Sequence, residues 1–182
     1  MKPLQILSEK YVQMYQERVW QGAGGARKEW RVNGKKHRTD GPAVEWDDGS
    51  KEWWVNDEKH RLDGPAVEDA DGTKEWWVNG RPHRTDGPSY EGADGAKAWY
   101  IDGQFHRTDG PAYEDADGHK AWYVNGKLHR LDGPAIIKAN GQKEWWIDDK
   151  RYTEKKFNKY VQALKDRLDI LNKDNPGIEM DI

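Results

Sequence analysis

His-Arg recurs at 37, 60, 83, 106 and 129, always 23 residues apart, and a Trp recurs in the same register at 30, 53, 76, 99, 122 and 145. A period of this length, held through five copies without insertion or deletion, marks one supersecondary unit stacked on the next. Each copy carries two turn signals. Asp-Gly stands at 48–49, 71–72, 94–95 and 117–118, with Asn140-Gly141 in the last copy. Asn-Gly or Asp-Gly stands at 33–34, 79–80, 102–103 and 125–126. These dipeptides tolerate the positive φ angles of tight hairpin turns, and the runs between them, such as Lys74 to Val78, are rich in strand formers. At Asn56-Asp57 and Asp148-Asp149 an Asp replaces the glycine, which predicts a costlier turn. The expected fold is mainly β: an elongated array of stacked antiparallel β-hairpins with N- and C-terminal helices.

Three segments follow. Residues 1–26 form the first, with Leu4, Leu7, Tyr11, Met14, Tyr15 and Val19 at roughly helical spacing before the glycine-rich hinge Gly22 to Ala26. Residues 27–151 hold five to six hairpin repeats. Residues 152–182 are a helix and tail, with Thr153 as N-cap, Glu154 at the positive end of the helix dipole, and a stripe of Phe157, Tyr160, Val161, Leu164, Leu168 and Leu171. Both helices are expected to cover open ends of the stack. The stripe over 157–171 has a second reading, a homodimer seam.

With 35% hydrophobic and 35% charged residues, composition alone would suggest disorder. Eleven Trp and eight Tyr argue for a folded domain with a thin aromatic core. The repeats hold 21 Lys and Arg against 25 Asp and Glu, so the basic surplus of a nonspecific nucleic-acid binder is missing. The chain has no Cys, which removes disulfides and thiolate chemistry. Met1 to Glu9 is too polar for a signal peptide and no run reaches transmembrane length, so the expectation is a cytoplasmic protein with no membrane partner.

Alternation along the strands assigns the faces. Trp76 and Val78 share the packed side with Val44, Val67, Tyr90, Tyr113 and Ile136. Trp54, Trp77, Tyr100, Tyr123 and Trp146 take the opposite side, beside Glu45, Glu68, Glu91 and Glu114. This aromatic row reads either as a binding surface or as cross-strand packing on a thin sheet.

Equivalent His residues should lie two strands apart, about 9–10 Å, too far to share a metal ion. Arg61 and Asp63, two apart, read as a turn in which Arg pairs with Asp or covers a Trp face; the competing reading is an Arg row gripping phosphates. No nucleophile–base pair, phosphate loop or unique carboxylate pair stands out, and residues present in every copy suit a fold better than one asymmetric catalytic constellation. Neither an enzyme nor a cofactor is expected. The differences between copies point to a site: Glu-Trp-Trp gives way to Ala98-Trp99-Tyr100 and Ala121-Trp122-Tyr123, with Tyr90 and Tyr113 on the facing strand. The expected result is an uncharged patch on the outer face. The candidate binding residues are Tyr90, Ala98, Tyr100, Tyr113, Ala121 and Tyr123, with Trp54, Trp77 and Trp146 of the aromatic row.

Asn79-Gly80-Arg81-Pro82-His83 and Ala70-Asp71-Gly72 resemble the MORN (membrane occupation and recognition nexus) repeat, a 23-residue hairpin unit, over residues 27–151. The Trp-Trp-Val-Asn-Gly and His-Arg-x-Asp-Gly-Pro-Ala elements are closer to a Trp-rich MORN variant of bacteriophages and giant viruses. The resemblance implies a protein-binding scaffold, and for phage members an accessory protein that blocks a host defence factor. The leading expectation is therefore a non-catalytic scaffold that binds a host or viral protein in the host cytoplasm. A small-molecule or nucleotide trap using Trp, Tyr and Arg is the first alternative, and a structural part of a virion or other assembly the second.

Overall fold

The computed structural model describes residues 16–20 and 25–174, which hold twenty-two short strands and one helix. Contacts divide the chain into a first unit ending at Gln104 and a second beginning at Phe105. In the first, the main ladder runs through Gln16–Trp20, Arg27–Val32, Val44–Trp46, Lys51–Glu52, Val67–Glu68, Lys74–Glu75, Tyr90–Glu91 and Lys97–Ala98. In the second it runs through Tyr113–Glu114, Lys120–Ala121, Ile136–Ile137, Lys143–Ile147 and Lys150–Tyr152. Short two-stranded ladders such as Trp77–Val78 with Arg81–Pro82 lie off this path. Each copy is thus a pair of hairpins, one per turn signal.

The two turns differ in length, and that difference sets the faces. Asn79 and Gly80 both have positive φ, 50° and 71°, and close a two-residue turn with Val78 opposite Arg81. At the Asp-Gly turn, Asp69 N–H donates to Thr73 O at 2.9 Å, Gly72 N–H donates to Asp69 O at 2.9 Å, and the Asp71 carboxylate accepts the Thr73 N–H at 2.8 Å. The loop therefore holds three residues, Ala70, Asp71 and Gly72, and puts Val67 opposite Glu75 and Glu68 opposite Lys74. A two-residue loop would have put Val67 opposite Trp76. One extra loop residue moves the register by one and turns every side chain of the facing strand over.

The expected faces are corrected accordingly. Val44, Val67, Tyr90, Tyr113 and Ile136 lie opposite Glu52, Glu75, Ala98, Ala121 and Glu144, on the side of Trp54, Trp77 and Trp146. Glu45, Glu68 and Glu91 lie on the other side, where in the first unit they alternate across strands with Lys51, Lys74 and Lys97. Opposite charges face each other directly on that ladder, the favourable arrangement for cross-strand pairs.

The turns without glycine carry their own compensation. Asp57 and Asp149 sit at φ 67° and 62°. Their carboxylates accept the Lys36 and Leu128 backbone N–H groups at 2.7 and 2.8 Å, tying each turn to the preceding copy. The strain expected from the sequence is offset by a hydrogen bond that glycine could not make.

The expected N-terminal helix is corrected where it can be followed. Leu4, Leu7, Tyr11, Met14 and Tyr15 lie outside the described residues. Val19 does not lie on a helix: Gln16–Trp20 is a strand, paired antiparallel with the next from Gln16 opposite Arg31 to Trp20 opposite Arg27. Five ladder positions satisfy backbone groups that a short helix end would leave open. The boundary expected at residue 26 therefore falls inside a hairpin. Glu29, only 1% exposed, is held there between Arg27 and Arg31, each at 2.8 Å.

The C-terminal helix, Glu154–Asp174, starts where the sequence places it. Thr153 Oγ1 accepts the Lys156 N–H at 3.4 Å, and Thr153 O accepts the Phe157 N–H at 2.9 Å. Phe157 and Val161 are buried against Ile147, with Leu131, Trp145 and Tyr152 around them. This end of the helix covers the last hairpin. Leu131 shows what the cover does, because Leu62, its counterpart in the first unit, is 81% exposed. The first half of the 157–171 stripe is thus used within the chain, while Leu171 remains exposed. Among the described residues no helix is long and apolar enough to cross a membrane.

Candidate functional site

The residues most prominent in the sequence are occupied with holding the copies together. Arg61 lies over the Trp53 ring at 3.9 Å, and its Nε donates to Asp63 at 2.9 Å. Its Nη1 donates to Pro65 O at 3.0 Å and to Glu68 at 2.9 Å. Arg38 and Arg84 repeat the stack and the Asp bond in the first unit, and Arg130 does so over Trp122 in the second. A Cβ added at Gly64 would stand 2.9 Å from Arg61 Cζ. The guanidinium is therefore sandwiched between an indole and a glycine, and that glycine is needed for space, not for an unusual φ. Arg61, Arg84, Arg107 and Arg130 hold Asp63, Asp86, Asp109 and Asp132 below the usual carboxylate range, chiefly through the hydrogen bond. Of the two readings of the Arg row, the structural one describes the geometry.

The His row has a similar task. His60 Nδ1 lies 2.9 Å from Asn79 Oδ1 and accepts the Asn79 backbone N–H at 3.2 Å, which pins the turn of the next copy. His83 with Asp102 and His129 with Asp148 repeat the contact at 2.9 Å.

The aromatic row is cross-strand packing where its partners are visible. Lys36 Nζ lies 4.1 Å from the Trp54 ring, and Lys59 Nζ lies 5.0 Å from that of Trp77. The indole N–H groups of Trp54, Trp77 and Trp146 donate to Glu52, Glu75 and Glu144 at 2.8, 2.7 and 3.2 Å. Lys59 also meets Glu75 at 3.4 Å. In the first unit, cation, ring and carboxylate thus close on one another, with all of these rings half-buried.

The uncharged outer patch is corrected. Ala98 and Ala121 are 3% and 4% exposed, so they do not lie on an open face. Ala98 is opposite Tyr90, and Ala121 is opposite Tyr113. Tyr100, in the first unit, receives its own support: its N–H donates to the buried Ser89 Oγ at 2.9 Å. The exchange of Glu-Trp-Trp for Ala-Trp-Tyr has a packing logic. Tyr has no indole N–H to give a carboxylate, so a Glu in place of the alanine would lack the partner that Glu75 has in Trp77. The larger Tyr on the facing strand takes the volume that Glu vacates.

In the second unit that exchange leaves a cup. Phe105, Tyr113, His119, Ala121, Tyr123, Ile136 and Lys138 line a cavity of about 350 Å³. Phe105 stacks on Tyr123 with ring centroids 4.9 Å apart. Tyr113 stands edge-on to Phe105 at 6.4 Å and to His119 at 5.8 Å. Lys138 is held on Glu144 at 2.7 Å. Burial, and then the charge of Asp149, push the Tyr123 hydroxyl above its ordinary pKa, so it stays protonated at neutral pH. A larger groove of about 620 Å³ lies between Arg107–Pro111 and His129–Asp132, but its Arg side chains are tied to Asp109 and Asp132.

Of the candidate residues, Tyr113, Ala121 and Tyr123 come together at the cup. Tyr90, Ala98, Tyr100, Trp54 and Trp77 belong to the first unit, and Trp146 lines no part of this cavity. Phe105, His119, Ile136 and Lys138 are not among the candidate binding residues read from the sequence. Phe105 has a visible signal, since its position carries Lys36 and Lys59 in earlier copies. His119 likewise stands where other copies have Ser50, Thr73 and Ala96. Comparison of the chain with protein-family models, curated proteins and solved structures finds no match.

Proposed function

We propose that the protein is a non-catalytic repeat scaffold that binds another protein, with the cup around Tyr113, Ala121 and Tyr123 as the anchoring point. The observation that supports this is the convergence of copy-specific residues on one ring-lined cavity, while the residues common to all copies are engaged in stacking. A rigid aromatic wall gives contact area at low entropic cost, the property of interface hot spots. The likeness to the Trp-rich MORN variants of phages favours a host protein as partner. The nucleotide trap loses support, because the Arg side chains it needs are engaged by Asp, Pro and Trp within each copy.

The test transplants the first unit's residues into the second. Phe105→Lys, Tyr113→Val, Ala121→Glu and Tyr123→Trp together reproduce Lys59, Val67, Glu75 and Trp77, a set the same backbone already accommodates. Partners captured from host lysate by the original chain and by this variant are compared by mass spectrometry. A partner lost by at least about 30-fold, with an unchanged melting temperature, is the expected result. Equal capture by the two chains would remove the cup from the interface.

A further inference from the structure

The chemistry of the cup narrows what enters it. Four of its lining residues are rings, Phe105, Tyr113, His119 and Tyr123, and Ala121 and Ile136 add aliphatic surface. A cation is opposed by the Lys138 ammonium, which Glu144 neutralises without removing it. An anion is opposed by Glu144 and by Asp149, whose charge reaches Tyr123. What remains is an uncharged group. Hydrogen-bonding capacity then separates an aliphatic group from an aromatic one. Among the described residues, the Tyr113 and Tyr123 hydroxyls and the His119 ring nitrogens have no hydrogen-bond partner. Three unengaged polar groups around an apolar cavity suit a ring with an N–H or O–H at its edge, since a purely aliphatic group would cover them without bonding. The rings already meet by stacking and edge-to-face contact at 4.9 to 6.4 Å, and a further ring extends the same cluster.

We infer that the cup receives a Trp or Tyr side chain of the protein partner, its ring against Phe105 and Tyr113 and its polar edge towards Tyr123 and His119. This rests on the reading of the cup as the partner's anchoring point and specifies what it anchors. The side chain alone can be tested without knowing the partner. The full-length protein, labelled for NMR, is titrated with N-acetyl-tryptophanamide, N-acetyl-tyrosinamide, N-acetyl-leucinamide and tetramethylammonium chloride, while the Tyr113, His119 and Tyr123 ring signals are followed.

The Trp and Tyr amides should shift these signals saturably, with Kd on the order of 1 mM. The leucine amide should bind at least about tenfold more weakly, a difference of ~1.4 kcal/mol. The four-residue transplant should abolish the shifts. Equal binding of the leucine amide, or binding of tetramethylammonium in place of the aromatic amides, would overturn the inference. So would the absence of any shift. If the aromatic amides fail while the transplant still loses the captured partner, the anchoring site stands and its aromatic occupant falls. If they bind while capture is unaffected, the cup takes a ring but is not where that partner holds, and the inference as stated fails too.

Discussion

Lys59, Val67, Glu75 and Trp77 in the first unit and Phe105, Tyr113, Ala121 and Tyr123 in the second occupy equivalent places and fill them in opposite ways. Around Trp77 the space closes through charge: the indole donates to Glu75 at 2.7 Å, and Lys59 bridges the carboxylate and the ring. Around Tyr123 the Lys and Glu of that closure are replaced by Phe105 and Ala121, the rings stack on one another, and a cavity remains. The scaffold is therefore indifferent to how this face is filled, because its register is held by backbone ladders and its copies by Arg–Trp stacks and His contacts. A repeat of this kind can vary one face while keeping its stack, and the place to look for function is where the variation leaves space.

The sharpest way to break this comparison is to mix the two solutions. Ala121→Glu alone puts a carboxylate opposite Tyr113 with no indole N–H to receive it. Overpacking against Tyr113 and a carboxylate that lacks the indole partner of Glu75 together should cost about 2–4 kcal/mol in urea unfolding. Adding the other three substitutions of the transplant should recover that loss. A single variant as stable as the original chain would show that the Glu–Trp pairing does not explain the exchange.

The reverse change should cost less. Glu75→Ala leaves the Trp77 N–H and Lys59 without their carboxylate, but both are half-exposed and water can replace it. A loss of about 1–2 kcal/mol is expected. If the Glu75→Ala variant unfolds at the same urea concentration as the original chain, the charged closure contributes only specificity. Double variants with Trp77→Tyr, measured in the same unfolding experiment, should then show no coupling.

Acid tests both units at once. The Arg-bonded carboxylates of Asp63 and Asp86 in the first, and of Asp109 and Asp132 in the second, all lie below their ordinary pKa. Such groups bind fewer protons folded than unfolded, so their contribution is complete above the unfolded value of about 4 and is lost as pH falls through the lower folded one. In the first unit Glu29 is a further Arg-bonded carboxylate of this kind. Burial works to raise the pKa of Glu29, but the hydrogen bonds from Arg31 and Arg27 outweigh it, and the net direction is down. Thermal melts between pH 7 and pH 3 should show falling stability, and Glu29→Gln should flatten part of that slope. An unchanged slope in the variant would mean that Glu29 titrates alike folded and unfolded.

Much of this is legible in the residues themselves. The 23-residue spacing, the glycine turns and the strand-forming runs between them are local features that act within a few residues. The pairing of Arg61 with Asp63 and with a Trp face follows from their types and separation. Thr153 as a cap and Phe157 and Val161 as the covering surface are equally local. The candidate site is half legible: Tyr113, Ala121 and Tyr123 stand out as departures between copies, but the burial of Ala121 does not show in the pattern.

What only the tertiary structure decided is which side each strand shows. Asp71-Gly72 reads the same whether two or three residues form the loop, and the choice is made by the Asp69–Thr73 pairing and the Asp71 carboxylate. That single residue of register puts Val67 with Glu75 and not with Trp76. The strand at Gln16–Trp20 was hidden for a related reason, since its helical spacing is local whereas its partner Arg27–Val32 becomes available only when the chain turns back. The repeat by itself determined that the chain is a series of hairpins. The register of strand pairing, which the residue types at the turn leave open, determined which side chains meet at its aromatic cup.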